Sequence, residues 1–170
     1  DFGSIEKNSV SGLSPAISRR LITEEDFLVR ILKHHNYKKV EKLIQEICWR
    51  TYWKGYMEFH ESIWRDYLND LNILKEIKST KFFNLVLNGN SDIECFNHWI
   101  NELYDNGYLH NHSRMWFASI WIYTLKLPWQ LGAELFLENL LDADAASNTL
   151  SWRWVAGLHT KGKNYFASPE

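Results

Sequence analysis

The spacing of the apolar residues constrains the fold of this chain more than any other feature. Within residues 38–57, Val40, Leu43, Ile44 and Ile47 recur at positions i, i+3, i+4 and i+7, which is the pattern of one face of an α-helix. The alternation typical of β-strands is almost absent, and the 170 residues include only three prolines. The pattern predicts an all-α protein.

Three further apolar stretches predict helices. One stripe spans residues 63–74, and another runs from residue 93 to Gly107, a residue type that often ends a helix. Residues 113–126 are apolar on nearly every side, which predicts a central buried helix.

Two helix starts are marked by capping residues. Ser14 is expected to be an N-cap with Pro15 at the first helical position, and Thr23 is followed by three acids that suit a first turn. The chain shows no repeat, linker or domain boundary. We therefore expect residues 9–170 to form one helical domain, preceded by a loosely ordered segment at residues 1–8.

The composition argues against several classes of protein. A net charge of −2 provides no global attraction for nucleic acid, so any DNA contact needs a local basic patch. Cys48 and Cys95 form no Cys-x-x-Cys motif, which predicts a reduced, cytoplasmic protein without structural zinc. No apolar run approaches the roughly 20 residues that span a bilayer, so no membrane association is expected.

Residues 142–154 combine polar and aromatic groups in an unusual way. Asp142, Asp144 and Asn148 are followed by Trp152 and Trp154, which bracket one arginine. A solvated surface does not need the tryptophans, and an ordinary core does not need the acids and the amide. The combination suits a buried polar aromatic ligand, and a flavin fits it better than a metal or a phosphate alone.

The serine-rich segment at residues 9–15 places hydroxyl groups and a glycine just before a helix start. Backbone amides at the positive end of a helix favour anions, so this segment could bind a phosphate. The alternative is an ordinary helix cap with a flexible lead-in.

Glu46, Trp49 and Arg50 also allow two interpretations. Glu46 and Arg50 are four residues apart, so they could form a surface ion pair with Trp49 on the buried face. Alternatively, Arg50 binds a phosphate while Glu46 and Trp49 line a cavity.

Metal binding is not predicted. His110 and His112 are two residues apart, a spacing that directs side chains away from each other on a helix, and no thiolate or carboxylate completes a ligand set. Asp142 and Asp144 lack the glycine and the final glutamate of a calcium loop. Arg114 enters an apolar helix and needs a buried partner, for which these two acids are the candidates.

Four segments together resemble the FAD-binding helical domain of the DNA photolyase/cryptochrome family, in the family's order and near its spacing. Residues 10–15 are similar to the family's segment Thr-Ser-x-Leu-Ser-Pro, and residues 46–50 to its segment Glu-x-x-Trp-Arg. Residues 107–115 are similar to Gly-Trp-x-His-Asn-Arg-x-Arg-Met. Residues 142–154 are similar to Asp-Gly-Asp-x-Ala-Ser/Ala-Asn-x-x-x-Trp-x-Trp. The resemblance runs from about Ser9 to Phe166. The family's N-terminal antenna domain has no counterpart, so the chain is identified as a short member or a fragment.

The resemblance implies FAD as the cofactor and assigns its contacts. The FAD phosphates would contact Ser11, Gly12, Leu13, Ser14 and Arg50. The isoalloxazine, its diphosphate and the ribose edge would be approached by Asn111, Arg114, Asp142, Asp144 and Asn148. Asn148 would face flavin N5, where an uncharged amide suits an anionic reduced flavin, and Arg114 would also pair with Asp142.

The resemblance also implies catalytic roles. Trp152 would be the nearest electron donor to the flavin, and Trp129 the second. In the repair enzymes of the family, light moves an electron from reduced FAD to a pyrimidine dimer that has been flipped out of DNA, and the dimer splits. Glu46 and Trp49 match the residues that contact the dimer there.

The implied function is blue-light-driven electron transfer by an FAD-binding flavoprotein. One candidate is a deoxyribodipyrimidine photolyase-like lyase acting on dimer-containing DNA. The alternative is a cryptochrome-like photosensor that signals to a protein partner. A third possibility, a helical domain without the cofactor, is disfavoured by the retention of Arg114, Asp142, Asp144 and Asn148.

Several residues differ from the family pattern. Val10 replaces a threonine of the family pattern, and Ala143 replaces a glycine. Leu43 and Tyr108 replace tryptophans, and His112 replaces an arginine. The exchange at His112 removes a permanent charge and is expected to weaken DNA binding. No tryptophan occupies the usual outermost relay position, for which Trp116, Trp121 or a tyrosine would have to substitute.

Overall fold

A computed structural model describes residues 10–167, and over this range the chain is helical without a β-strand. The elements in chain order are α1 (Ser14–Ser18), α2 (Glu24–His34), α3 (Tyr37–Phe59), α4 (Glu61–Ile73), α5 (Lys75–Lys78), α6 (Lys81–Leu87), α7 (Glu94–Asn106), α8 (Asn111–Ser119), a π-helical segment (Ile120–Thr124), α9 (Trp129–Asn139) and α10 (Ala145–Val155). The predicted all-α class is confirmed. The predicted loose segment at residues 1–8 lies outside the described residues.

Two of the predicted helix boundaries are confirmed. The Thr23 hydroxyl accepts a hydrogen bond from the Asp26 amide at 3.0 Å and caps α2, whose first turn is acidic. Helix α7 ends at Gly107, which has a φ of +61°. A Cβ atom there would lie 2.8 Å from Cγ of Leu141, so glycine is needed both for the conformation and for the close approach.

The predicted N-cap at Ser14 is wrong by one residue. Leu13 already has near-helical backbone angles (φ −90°, ψ −6°), and its carbonyl accepts the first helical hydrogen bond, from Ile17 at 3.0 Å. Ser14 is therefore inside the first turn, and its hydroxyl makes no cap. Pro15 is accordingly the second helical residue, one position later than predicted.

The predicted central helix at residues 113–126 is shorter and changes type. Regular α-helix ends at Ser119, and Leu125 bonds to the carbonyl of Ile120 in the wider π pattern. The chain then turns back, because the Leu127 amide donates to the carbonyl of Trp121. The expected burial is confirmed at Phe117 and Trp121.

The main core lies where α8, the π-helical segment, α9 and α10 meet, with α7 behind them. Phe96 stacks on Phe117, and Phe117 packs against Trp121 and Phe136. This core holds the helices that carry the aromatic and acidic residues of the 142–154 motif.

A smaller core joins the N-terminal helices. Ile17 of α1, Phe27 of α2 and Ile47 of α3 are buried together. Helix α3 packs against α2 and also against α4 and α10. The middle of α3 therefore lies between the N-terminal helices and the start of α10. No helix within residues 10–167 is long and apolar enough to span a bilayer.

Candidate functional site

A bidentate ion pair between Arg114 and Asp142 holds the loop between α9 and α10. Arg114 of α8 donates through Nη1 and Nη2 to the two carboxylate oxygens of Asp142, at 3.0 and 2.9 Å. Its Nε donates to the carbonyl of Leu109 at 2.7 Å, and its guanidinium lies 5.3 Å from the ring centre of Tyr108. The predicted pairing of Arg114 with Asp142 is confirmed.

Helix α1 is tied to the same loop. The Ser18 hydroxyl donates to the carbonyl of Asp142 at 2.7 Å, although the two residues are 124 positions apart. This contact connects the helix that follows the serine-rich segment to the acidic motif. The sequence pattern did not single out Ser18, because a serine at the end of a short helix carries no distinctive signal.

Asp144 has two roles in the structure. Its carboxylate caps α10 by accepting from the Ser147 amide at 2.9 Å, and it also contacts Arg50 Nη2 at 3.4 Å and Lys54 Nζ at 3.6 Å. Burial raises the pKa of Asp144, but the Ser147 amide and the two cations outweigh burial and hold the pKa below its usual range. Asp144 is therefore ionised at neutral pH.

The same two cations meet a second carboxylate. Glu24, at the start of α2, lies 3.4 Å from Arg50 Nε and 3.8 Å from Lys54 Nζ, and its other oxygen pairs with Arg20 at 2.8 Å. Burial raises the pKa of Glu24, but its backbone contact and these cations give a net lowering. We refer to Glu24, Arg50, Lys54 and Asp144 as the charge cluster.

Arg50 is only loosely satisfied within the charge cluster. Both of its closest carboxylate contacts are 3.4 Å long, and its buried Nε forms no hydrogen bond among the described residues. A buried guanidinium with an unused N–H donor can bind a further oxyanion. Arg50 turns toward Glu24 and Asp144, so the alternative of a simple surface pair with Glu46 does not describe its environment.

Trp49 lies on the surface, where 51% of it is exposed. The interpretation that placed Trp49 on the buried face is therefore wrong. Its ring stacks on Trp53 at a centroid distance of 5.5 Å and meets the edge of Tyr52 at 5.4 Å. Glu46, one turn earlier on α3, is also exposed. These side chains are open to a ligand from solvent.

The serine-rich segment is at the surface. Ser11 and Gly12 are exposed, whereas Leu13 and Ser14 are partly buried, and the Ser11 hydroxyl accepts from the Leu13 amide at 3.3 Å. Ser9, the first hydroxyl of the motif, lies outside the described residues. A phosphate-binding role for the segment stays a prediction.

The predicted ring-facing amides lie on two helices. Asn111 is exposed at the first position of α8. Asn148 is partly buried on α10, and its side-chain amide donates to the carbonyl of Ala133 at 2.7 Å. That bond orients the Asn148 side chain, and among the described residues no hydrogen bond to its side-chain oxygen is seen. Roles toward a flavin stay predictions for both residues.

The two histidines do not point apart. The rings of His110 and His112 stack with a centroid distance of 5.5 Å, because His110 is the N-cap of α8 and its backbone is extended, not helical. Within residues 10–167, no group of three histidine, cysteine, aspartate or glutamate side chains is arranged to hold a metal ion.

The proposed electron donors are both buried. Trp152 is 2% exposed and packs edge-on against Phe136, Trp121 and Phe117, with centroid distances of 5.1, 6.2 and 6.4 Å. Trp121 is fully buried beside it, so Trp121 is not a surface donor.

Trp129 begins a second aromatic row that leads outward. Its ring stacks on Tyr67 at 5.7 Å, and Tyr67 packs against Trp64 at 5.2 Å. Trp64 reaches an open cleft of about 470 Å³ between α3, α4 and the start of α10. The cleft is lined by Lys54, Met57, Glu58, Glu61, Trp64, Arg65, Ala145 and Ala146.

The fold is that of an all-α domain in which Arg50 and Lys54 supply cations and Asp144 and Asn148 supply hydrogen-bonding groups. Residues 43–169 match the family described as the FAD-binding domain of DNA photolyase. The chain belongs to this family, as its resemblance implied.

Known relatives match most of the chain. It is 29% identical over 167 residues to a deoxyribodipyrimidine photo-lyase of Buchnera aphidicola subsp. Baizongia pistaciae, covering 95% of this chain and 35% of the relative. It is 29% identical over 138 residues to that of Agrobacterium fabrum, covering 79% of this chain and 28% of the relative. The chain thus spans about a third of the length of these enzymes.

Solved structures share the fold. A class III photolyase from Agrobacterium tumefaciens superposes with a TM-score of 0.76 at 25% identity, covering 95% of this chain and 34% of the other. A cryptochrome from Synechocystis gives the same TM-score at 21% identity, covering 91% and 33%. The predicted helical FAD-binding fold is therefore confirmed.

The donor set fits FAD. Arg50 and Lys54 supply positive charge for a diphosphate, and the buried Nε of Arg50 has an unused donor. Asp144 and Asn148 lie one helical turn apart on α10 and add hydrogen-bonding groups for a polar ring. Asp142 is less available, because both of its oxygens are engaged by Arg114.

Proposed function

We propose that this chain forms the FAD-binding part of a flavoprotein that transfers electrons in blue light, and that its substrate is DNA containing pyrimidine dimers. One relationship on α3 carries this proposal. Trp49 is exposed, whereas the adjacent Arg50 side chain is only 15% exposed and belongs to the charge cluster. A substrate surface and a cofactor site thus share one helix turn.

The charge cluster would hold the phosphate end of the cofactor. Arg50 and Lys54 attract an oxyanion, and Asp144 keeps both cations directed toward the start of α10. Ser11, Gly12, Leu13 and Ser14 would complete the phosphate contacts, and Asn111, Arg114, Asp142, Asp144 and Asn148 those of the ring and ribose. When bound, FAD supplies blue-light absorption and reversible one-electron chemistry.

The buried aromatic residues would serve electron transfer. Trp152 is enclosed by other aromatic rings, which exclude water from an indole that is oxidised one electron at a time. Trp129 is buried on the neighbouring helix α9, and its contact with Tyr67 extends the aromatic path toward Trp64. Trp152 is proposed as the first donor and Trp129 as the second.

The exposed groups on α3 would contact the substrate. An indole face such as that of Trp49 can stack on a base, and a carboxyl group such as that of Glu46 can hydrogen-bond to base edges. The relatives named deoxyribodipyrimidine photo-lyases support this choice of substrate. The activity would be that of a lyase that splits the dimer.

A non-repairing photosensor is the second candidate. It is favoured by His112, which is exposed and replaces an arginine of the family pattern, so that a permanent cation for the DNA backbone is missing. In this case the electron transfer would change a surface for a protein partner.

Absorbance measurements test both candidates. The purified protein is expected to be yellow, to release FAD on denaturation, and to change its spectrum under blue light. Incubation with a thymine-dimer oligonucleotide should restore intact thymines only in the light. Photoreduction without repair would select the photosensor, and protein that neither contains nor takes up FAD would contradict both.

A further inference from the structure

Glu24 places a negative charge where the proposed function needs to bind phosphate. Only 14% of its side chain is exposed, and its Oε1 faces Arg50 and Lys54. Oε1 is buried and forms no hydrogen bond among the described residues, so its interactions there are the two long ionic contacts. Thr23, not Glu24, caps α2, so the carboxylate is not needed to begin the helix.

The four members of the charge cluster balance one another in charge, and Arg20 adds one further cation at the outer oxygen of Glu24. Two carboxylates, Glu24 and Asp144, face two cations, Arg50 and Lys54. A diphosphate that approached these cations would bring at least two further negative charges close to both carboxylates. Like charges at such distances repel strongly in a partly buried site. Release of one carboxylate from these cations would relieve this repulsion.

Glu24 is the carboxylate that can withdraw. Asp144 is also engaged by the Ser147 amide as the cap of α10. The second oxygen of Glu24, in contrast, pairs at 2.8 Å with Arg20, whose side chain is 59% exposed. Rotation toward Arg20 would release Arg50 and Lys54 and keep an ionic partner for Glu24.

We propose that Glu24 competes with cofactor phosphate for Arg50 and Lys54, and so lowers the affinity of this chain for phosphate-bearing flavins relative to riboflavin. This inference rests on the proposed function, in which Arg50 binds the FAD diphosphate. Glu24 thereby sets how strongly the site favours FAD over a neutral flavin.

The test compares Glu24→Gln with the unaltered chain in two titrations, one with FAD and one with riboflavin. Flavin fluorescence or absorbance reports the dissociation constant. Removal of the competing charge should tighten FAD binding about fivefold, the size expected for one partly exposed charge contact. Riboflavin affinity should not change, and the gain for FAD should shrink as salt is added.

Glu25→Gln is the matched control. Glu25 lies in the same first turn of α2 and carries the same charge, but it is exposed and is not part of the charge cluster. Its substitution should leave both dissociation constants unchanged. Glu24→Asp provides a second variant, because the shorter side chain keeps the charge at the helix start but reaches less far toward Arg50. It should give a smaller gain for FAD.

Two results would overturn the inference alone. FAD binding that weakens in Glu24→Gln would mean that Glu24 orients Arg50 for the cofactor. Equal changes for FAD and riboflavin would point to a general effect on the fold. If the unaltered chain binds neither FAD nor riboflavin, the proposed function itself fails. This failure is seen with the unaltered chain alone, so it is not confused with a failure of the inference about Glu24.

Discussion

Gly132 of α9 is in direct contact with the ring of Trp152 on α10. A Cβ atom at Gly132 would lie 2.3 Å from Cη2 and 2.6 Å from Cζ3 of Trp152, and 3.0 Å from Nε1 of Trp121. Distances below 3 Å are not tolerated between carbon atoms, so the indole occupies the space that a side chain would fill. The place of Trp152 in the core thus depends on a glycine twenty residues away.

Gly132→Ala is expected to destabilise the protein despite the better helix propensity of alanine. The methyl group would displace the buried ring of Trp152, and such overpacking costs about 1–3 kcal/mol of unfolding free energy. Urea denaturation followed by circular dichroism measures this difference.

Gly55→Ala is the matched control. Gly55 lies inside α3, and a Cβ atom there would meet nothing within 4 Å. Alanine should therefore raise the unfolding free energy by about 0.5–1 kcal/mol through helix propensity alone. If both variants changed stability in the same direction, the contact between Gly132 and Trp152 would not be the cause.

The pair of Arg114 and Asp142 gives a second prediction. Asp142 is 7% exposed at its side chain, and its replacement by asparagine would leave the guanidinium without its charged partner. We expect Asp142→Asn to lose about 3 kcal/mol of stability. In a double-mutant cycle with Arg114→Met, the second substitution should cost much less than it does alone. Additive losses would argue against a direct coupling.

The lowered pKa of Asp144 predicts how stability depends on pH. Its folded-state pKa is below the unfolded value of about 3.9, so the stabilisation is complete above that value and is lost as the pH falls through the folded pKa. Asp144→Asn can still cap α10 but cannot titrate. We expect the variant to be less stable at pH 7 and to lose less stability between pH 7 and pH 3 than the unaltered chain.

Denaturation midpoints at a series of pH values check this difference. Asp105→Asn, a change of an exposed carboxylate in α7, provides the control and should follow the unaltered chain. If stability fell equally steeply with acid in Asp144→Asn and in the unaltered chain, the Ser147 amide and the two cations would not be lowering the pKa of Asp144.

Local patterns predicted several helices, and the chemistry of one side chain predicted a contact between distant parts of the chain. The helical period located α3, α4 and α7, and the need of a buried charge for a partner led from Arg114 to Asp142. These inferences succeed because helical spacing and charge burial act on each segment in nearly any fold.

Features that depend on how helices cross were missed. The contact of Glu24 with Arg50 requires the start of α2 to meet the middle of α3, and no spacing in the sequence encodes that angle. The burial of Trp49 was an open alternative for the same reason, since the exposed side of α3 is decided by its packing against α2, α4 and α10. The cap at Leu13 depends on backbone angles that side-chain preference does not reveal.

Trp152→Phe tests the proposed electron path. Phenylalanine keeps an aromatic ring beside Phe136 and Trp121 but is much harder to oxidise. We expect photoreduction of bound FAD to slow about tenfold or more, equivalent to about 1.4 kcal/mol in activation free energy. The amount of FAD released on denaturation should not change. The rate is measured from the change of flavin absorbance with time under blue light.

Trp99→Phe is the control for this experiment. Trp99 stacks on Trp116 at 6.1 Å and, among the described residues, makes no ring contact with Trp152. Its substitution should not alter the rate. An unchanged rate in Trp152→Phe would remove Trp152 from the path, and loss of FAD in that variant would show that the residue acts in cofactor binding.

Trp49→Ala separates the repair proposal from the photosensor proposal. Stacking of one base on an indole is worth about 1–3 kcal/mol, so the variant should bind a dimer-containing oligonucleotide correspondingly more weakly and still retain FAD. Tyr37→Ala, at the start of the same helix, removes another exposed aromatic ring and should have no effect. Fluorescence anisotropy with labelled DNA measures both affinities.

The same comparison with undamaged DNA shows what Trp49 recognises. If Trp49 stacks on a flipped dimer, the substitution should weaken binding of damaged DNA more than binding of undamaged DNA, because only the flipped base reaches the indole. A uniform loss for both oligonucleotides would make Trp49 a general contact. No loss for either would leave the exposed ring without a role in DNA binding, and a protein partner would become the better candidate for this face of α3.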